Sequence, residues 1–546
     1  MSARWIPPMA ALALLALAAA ASARARGPTP APGDETAEQR AIAAILRDCA
    51  SRIAGAEHPL PLASSWSAGL TPLGFSPAWQ IEQIRRGRYL LPWFWAGTPP
   101  ADPAKDPGYS TVSDAIYYGP AIGYLARHRL PLSFDMPPWE VLLARVSPAF
   151  AKTDASGRQL AISPFSPIAP WYAAGRAWAR DPSLMQLQRL YPNPPLVLFI
   201  SDNESDRLTP DDLHAPYSVN ASSRIIARRR AIGDAWIARY EAMIRGFRDG
   251  LAAPGWRAQA LFIGYDAFVT LAMGRWGGWG AYSLYVPRRT EPWPYAWDGA
   301  SVSYYVHDWA PDADYIVWSP EIEAMNYVPV LAEVRRKKPD FWFEISTWDG
   351  QQPGRPSDKL LFYAKRGQSY SPDRYGGMVQ FGMWLLRPRV VRDFRGSLDD
   401  ERIRFGPYFD RIMDAVTRVH RDPVLRDFWR YGRLVANSAG GHPYEAAMPP
   451  DLASHPRWFL LDSPQNPPRP WQLTTSLAVY SLALVRGRAP HREWLVYAFS
   501  PLRPSAVVSV QLPGGPEARV RAADAGAFTL IEEGKPLPLT REAVGR

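Results

Sequence analysis

Cysteine is almost absent from this 546-residue chain, Cys49 being the only one. A single thiol cannot close an internal disulfide, and paired-cysteine metal motifs are excluded with it. The eight histidines are dispersed and no H-E-x-x-H occurs, so a zinc hydrolase centre has no support in the sequence. A G-x-S-x-G elbow, a Walker loop and a dinucleotide fingerprint are also missing, which argues against α/β-hydrolase, phosphate-loop and nicotinamide chemistry. No internal repeat is present. Beyond the N-terminus no apolar run approaches the roughly 20 residues needed to span a bilayer. Nor is there a dominant charge: 62 Lys and Arg face 52 Asp and Glu, a formal net charge of +10. The arginines are scattered, with short clusters at Arg228-Arg229-Arg230 and Arg335-Arg336-Lys337-Lys338. The second cluster closes a helical run, where cations complement the helix dipole. Nucleic acid is therefore not an expected partner.

The N-terminus does carry an apolar stretch. Arg4, the run from Met9 to Ala21 and the Ala21-Ser22-Ala23 site have the order of a charged n-region, an h-region and a cleavage site. Residues 1–23 are expected to be a removed signal peptide, and the product secreted or periplasmic. Pro7-Pro8 shortens the run below a membrane anchor, and no cysteine follows it to accept a lipid. Residues 24–34 read as a flexible Pro/Ala/Arg leader.

From residue 35 the chain alternates short apolar runs with segments of helical period. After a helix over Glu35–Ile53, eight runs read as strands: Leu60–Ser64, Tyr89–Trp95, Leu130–Asp135, Leu196–Ser201, Ala258–Tyr265, Ser301–Val306, Phe341–Ile345 and Met378–Trp384. Continuous apolar runs of this length suit parallel strands buried on both faces. Asp314–Trp318 competes for the sixth place. Ser76-Pro77 and Ser319-Pro320 open helices, and Ala231–Leu251 is a long amphipathic one. The pattern predicts an α/β fold, a (β/α)₈ TIM barrel over residues 35–421. From 422 to 546 helical periods give way to short alternating runs: Trp458–Leu461, Leu473–Leu484, Trp494–Ser500, Val507–Leu512, Ala518–Ala522 and Phe528–Ile531. These predict a C-terminal antiparallel β-sandwich.

Barrel active sites lie at the C-terminal ends of the strands. Four ends carry acidic residues: Asp135 after strand three, Asp202-Asn203-Glu204 after four, Asp266 after five and Glu344 on seven. Two carboxylates on one rim are the machinery of glycosidic bond cleavage, one protonating the leaving oxygen and the other attacking or stabilising the sugar cation. Glu344 lies among Trp342, Phe343 and Ile345, where burial without purpose would cost several kcal/mol of solvation. Glu321 and Glu323 are rivals if the strand count slips, although their place in a helix's first turn suits a dipole role. The 23 tryptophans offer faces on which sugar rings stack; Trp348 and Trp384 are the candidate subsite residues.

An Asn-Glu after the fourth strand and a Glu on the seventh resemble the clan of retaining (β/α)₈ glycosidases that holds many β-galactosidases, β-xylosidases and cellulases. That resemblance covers roughly residues 58–420. It implies Glu204 as acid/base, Glu344 as nucleophile and Asn203 as the ligand of the sugar 2-hydroxyl. It also implies Tyr304 or Tyr305 bonding the nucleophile and Trp384 flooring the subsite, with an oligo- or polysaccharide substrate and neither metal nor cofactor. Where many members continue Asn-Glu-Pro, this chain has Asn-Glu-Ser. Two other readings share the cleft: a glycan-binding barrel without turnover, and a lyase or transglycosylase.

Overall fold

The structure, a computed structural model, describes residues 60–66, 76–94, 114–137, 139–150, 162–163, 165–200, 223–267, 298–304, 340–346, 371–394, 401–434, 459–461, 480–499, 505–512, 516–534 and 541–542. The signal and leader segments, the helix expected over 35–53 and Cys49 lie outside them. Among the described residues no helix is long and apolar enough to cross a membrane.

Eight parallel strands form the first sheet: β1 (Leu62–Trp66), β2 (Trp93–Phe94), β3 (Leu132–Asp135), β4 (Val197–Ile200), β5 (Ala260–Ala267), β6 (Gly299–Tyr304), β7 (Asp340–Ser346) and β8 (Val390–Phe394), in the order β1-β8-β7-β6-β5-β4-β3-β2. Seven match expected runs within a few residues. The eighth does not. Met378–Trp384 belongs to a helix, Pro372–Leu386, and the strand is Val390–Phe394. Ser371 accepts from the Arg374 N–H as N-cap, Pro372 occupies the first turn, and Arg387 ends the helix in a left-handed conformation at φ 46°. The helix Pro77–Arg85 has the same Ser-Pro opening, while β-branched Val390-Val391 suits a strand.

Two observations show that this sheet is curled. Ala63 of β1 bridges Leu90, just ahead of β2, with Ala63 N–H donating to Tyr89 O (3.0 Å) and Leu91 N–H to Ala63 O (2.9 Å). These bonds join the two edges. In addition, Arg392 of β8 reaches Asp135 of β3 at 3.3 Å, although five strand spacings, roughly 24 Å, separate them in a flat sheet.

The two faces of the strands differ. On one, Phe94, Phe134, Phe199 and Phe262 occupy one register row across β2 to β5. Their ring centroids are 5.3–5.7 Å apart. Trp178, Phe247 and Trp256 pack onto this row from α1 (Ala169–Ala179), α2 (Ser223–Gly250) and α3 (Pro254–Gln259). α1 and α2 cross with backbones touching: a Cβ on Gly175 would lie 2.0 Å from Met243 O, and one on Gly246 2.0 Å from Tyr172 O. Only glycine fits this crossing. On the other face Leu91, Leu198, Ile200, Ile263 and Val390 form a small separate cluster.

After α4 (Glu401–Arg421) the chain makes one more helix, α5 (Pro423–Tyr431), capped by Asp422. Strands begin again at Arg433. A second sheet of mainly antiparallel pairs follows, built around Tyr480–Arg486, Glu493–Phe499, Ser505–Gln511, Glu517–Ala523 and Ala527–Glu532. Residues 517–523 alternate exposed and buried, as a sheet with one wet face does. This sheet packs on the helix Pro372–Leu386: Tyr497 Oη donates to Gly377 O at 2.5 Å, and Trp384 meets Phe528 edge-on at 5.5 Å. Gly526, at φ 73°, leaves room for the Tyr497 hydroxyl that any Cβ would fill.

Candidate active site

Because all eight strands are parallel, their C-terminal ends share one rim. β3 ends at Asp135, and β4 ends at Ile200, four residues before Glu204 in sequence. Asn203, Glu204, Tyr305 and Trp348 lie outside the described residues, as do the rival carboxylates Glu321 and Glu323.

Register assigns the remaining candidates to faces. The small apolar cluster defines the inward set: Leu198 and Ile200 on β4, Ile263 on β5 and Val390 on β8. Side chains alternate along a strand, and residues paired in parallel register share a face. Ser133 and Asp135 pair with Leu198 and Ile200, so they belong to this set. Arg392 belongs to it two residues beyond Val390. Position 344 pairs with Arg392 on one side and with position 303 on the other, and Arg392 pairs in turn with Ser64. Positions 303, 344, 392 and 64 therefore form one register row across β6, β7, β8 and β1, two residues beyond Val390 on β8. Positions 266 and 304 pair with 302 and 345 respectively.

Trp384 requires a correction. It is buried on the helix Pro372–Leu386, against Trp429 (5.7 Å) and Phe528 (5.5 Å). It belongs to the seam between the two sheets and not to a sugar subsite, because the strand assigned to it is a helix.

The residue that the sequence reading missed is Arg392. Its side chain and that of Asp135 are both fully buried. Two charges taken out of water are tolerated only as a close, hydrogen-bonded pair. The signal was available: a charged pair, Arg392-Asp393, sits inside an apolar run that follows Arg387-Pro388, much as Glu344 does in its own run. Beside the pair, the Ser64 hydroxyl is buried with no hydrogen-bond partner among the described residues.

The displaced titrations lie away from this rim. His420 stacks on Tyr89 at 3.7 Å and its Nε2 is 2.5 Å from Pro61 O, just ahead of β1, so it sits at the opposite, N-terminal end of the strands. Burial pushes its imidazole below the ordinary value, with nearby Arg430 and Arg426 adding to the effect. Burial raises Asp410, and the neighbouring Arg88 only partly offsets it. Among the described residues no group of three His, Cys, Asp or Glu could hold a metal ion.

No protein-family profile matches the chain, and no curated protein matches it. Solved structures do give likenesses. A modular endo-beta-1,4-mannanase from Cellulomonas fimi is 11% identical with a TM-score of 0.33, covering 90% of this chain and 98% of its own. An arabinofuranosidase from Xanthomonas axonopodis pv. citri is 13% identical with a TM-score of 0.28, covering 85% and 86%. A Prevotella bryantii endo-beta-mannanase/endo-beta-glucanase is 11% identical with a TM-score of 0.23, covering 68% and 49%. These scores are too low to carry an argument, so the functional reading rests on the chain's own residues.

Proposed function

We propose that the chain is an exported glycoside hydrolase that cleaves a β-glycosidic bond with retention, on a closed (β/α)₈ barrel braced by its C-terminal β-domain. The observation that carries this reading is a register pairing: position 344, a glutamate on the seventh of eight parallel strands, pairs with the buried Arg392. In sequence, Asn203-Glu204 comes three residues after the fourth strand ends at Ile200. Retention requires the two carboxyl groups to stand about 5–5.5 Å apart. Glu204 then holds its proton near neutral pH and delivers it to the leaving oxygen. Glu344 attacks the sugar carbon, and water later releases the sugar with Glu204 acting as base. An oligo- or polysaccharide would enter from the rim, with Asn203 at its 2-hydroxyl. The chain reaches the periplasm or the medium once residues 1–23 are removed.

The test is a screen of aryl β-glycosides with the purified chain, with Glu204→Gln and Glu344→Gln as controls. The anomer first released is followed by NMR. Turnover with retention, lost in both variants, supports the reading. An inverted product, or sugar binding without turnover in the wild type, overturns it.

A further inference from the structure

We infer that Arg392, anchored by Asp135 from the far side of the curled sheet, is a positioning residue that keeps Glu344 ionised and oriented for attack; this rests on the glycosidase reading above. Arg392 lies on β8 with its guanidinium 3.3 Å from Asp135 of β3, and both side chains are fully buried. It is the register neighbour of position 344, one strand spacing, about 4.8 Å, away. Arg392 and Asp135 form a buried ion pair in the inward set; register also puts position 340, an aspartate, in that set, four residues before position 344. The other register neighbours of this pair of positions are Ser64 and Ser303, neither of which is charged. A guanidinium carries five N–H donors in a planar fork and can serve two carboxylates at once. A buried cation favours the ionised form of an acid placed beside it. Asp135 alone would satisfy a structural bolt. What a bolt leaves unexplained is its place at the rim, in the same row as the one glutamate on β7.

The experiment uses the full chain with two readouts. One is the pH profile of kcat/KM on an active aryl glycoside. The other, independent of turnover, is esterification of Glu344 by a diazoacetamide, which modifies only protonated carboxyl groups; peptide mass spectrometry reads it across pH. The Asp135→Asn/Arg392→Met double variant removes both charges and leaves neither buried alone. Its acid limb and its Glu344 half-esterification point should both move up by about 1–3 pH units. If neither moves while thermal stability changes, the pair is only structural and the inference is wrong. Asp135→Asn by itself keeps the cation and should leave both points in place or lower; a rise there also overturns it. Should the double variant not fold, Arg392→Lys decides. It keeps the charge but loses the fork, so the expected result is an unmoved limb with kcat down at least about tenfold. Unchanged kcat would sink the positioning role. If the wild type cleaves no glycoside, the function reading fails on its own, and the esterification titration still judges Arg392.

Discussion

The two faces of the parallel strands use different chemistry for different ends. The helix-side face carries a row of four phenylalanines across β2 to β5, covered by Trp178, Phe247 and Trp256. The inward face carries a few aliphatic residues and then, toward the rim, Ser64, Asp135, Arg392 and the position of Glu344. Aromatic burial supplies large apolar area and dispersion, and the phenylalanines bring no polar side-chain atom to satisfy. A buried ion pair supplies little net stability, because desolvation offsets the Coulomb attraction. The difference teaches where each kind of substitution should act. Helix-side changes should unfold the protein, and inward changes near the rim should alter its chemistry.

The sharpest way to break this comparison is at the carboxylates. Glu344→Gln and Glu204→Gln should each lower kcat by about 10²–10⁴-fold while leaving the thermal midpoint close to wild type. A large loss of stability in parallel would mean that the inward face is structural after all. On the other face, Phe199→Ala should cost about 3–5 kcal/mol, because Phe199 touches Phe134, Trp178, Phe247, Trp256 and Phe262. A denaturant midpoint measures this, and the pH limits of activity in the folded variant should not move. Trp384→Ala should cost a similar amount with KM unchanged; a raised KM would return Trp384 to a subsite. Tyr497→Phe deletes the bond to Gly377 O and should cost about 1 kcal/mol, loosening the seam without touching the rim.

The smallest expected effect is a pH dependence at the N-terminal end of the strands. Burial lowers His420 from its ordinary 6.5, so the unfolded chain takes up a proton before the folded one does. The stability contribution is complete above about pH 6.5 and is lost as pH falls through the lowered folded value. His420→Phe keeps a ring against Tyr89 and should flatten the melting temperature between pH 7 and 5. An unchanged slope would assign that acid sensitivity elsewhere.

Much of this was legible in the sequence because strands and helices are local. Phe341–Ile345 reads as a buried strand from its own residues, and so does Leu196–Ser201. The eighth strand was misplaced because Met378–Trp384 is a short run with Gln380 as its one polar residue, and so short a run does not reveal its period. Ser371-Pro372, the stronger local signal, was overlooked.

The sequence by itself determined the alternation of strand and helix, the number of parallel strands, the change to antiparallel pairing after the last helices, and the place of Glu344 on the seventh strand. Those follow from propensity, caps and hydrophobic period, which act over a few residues. Only the tertiary structure decided that Arg392 meets Asp135, 257 residues away, and that Trp384 closes the seam between the sheets. Which charge faces which across a curled sheet depends on register and on the joining of its edges. No local pattern encodes that.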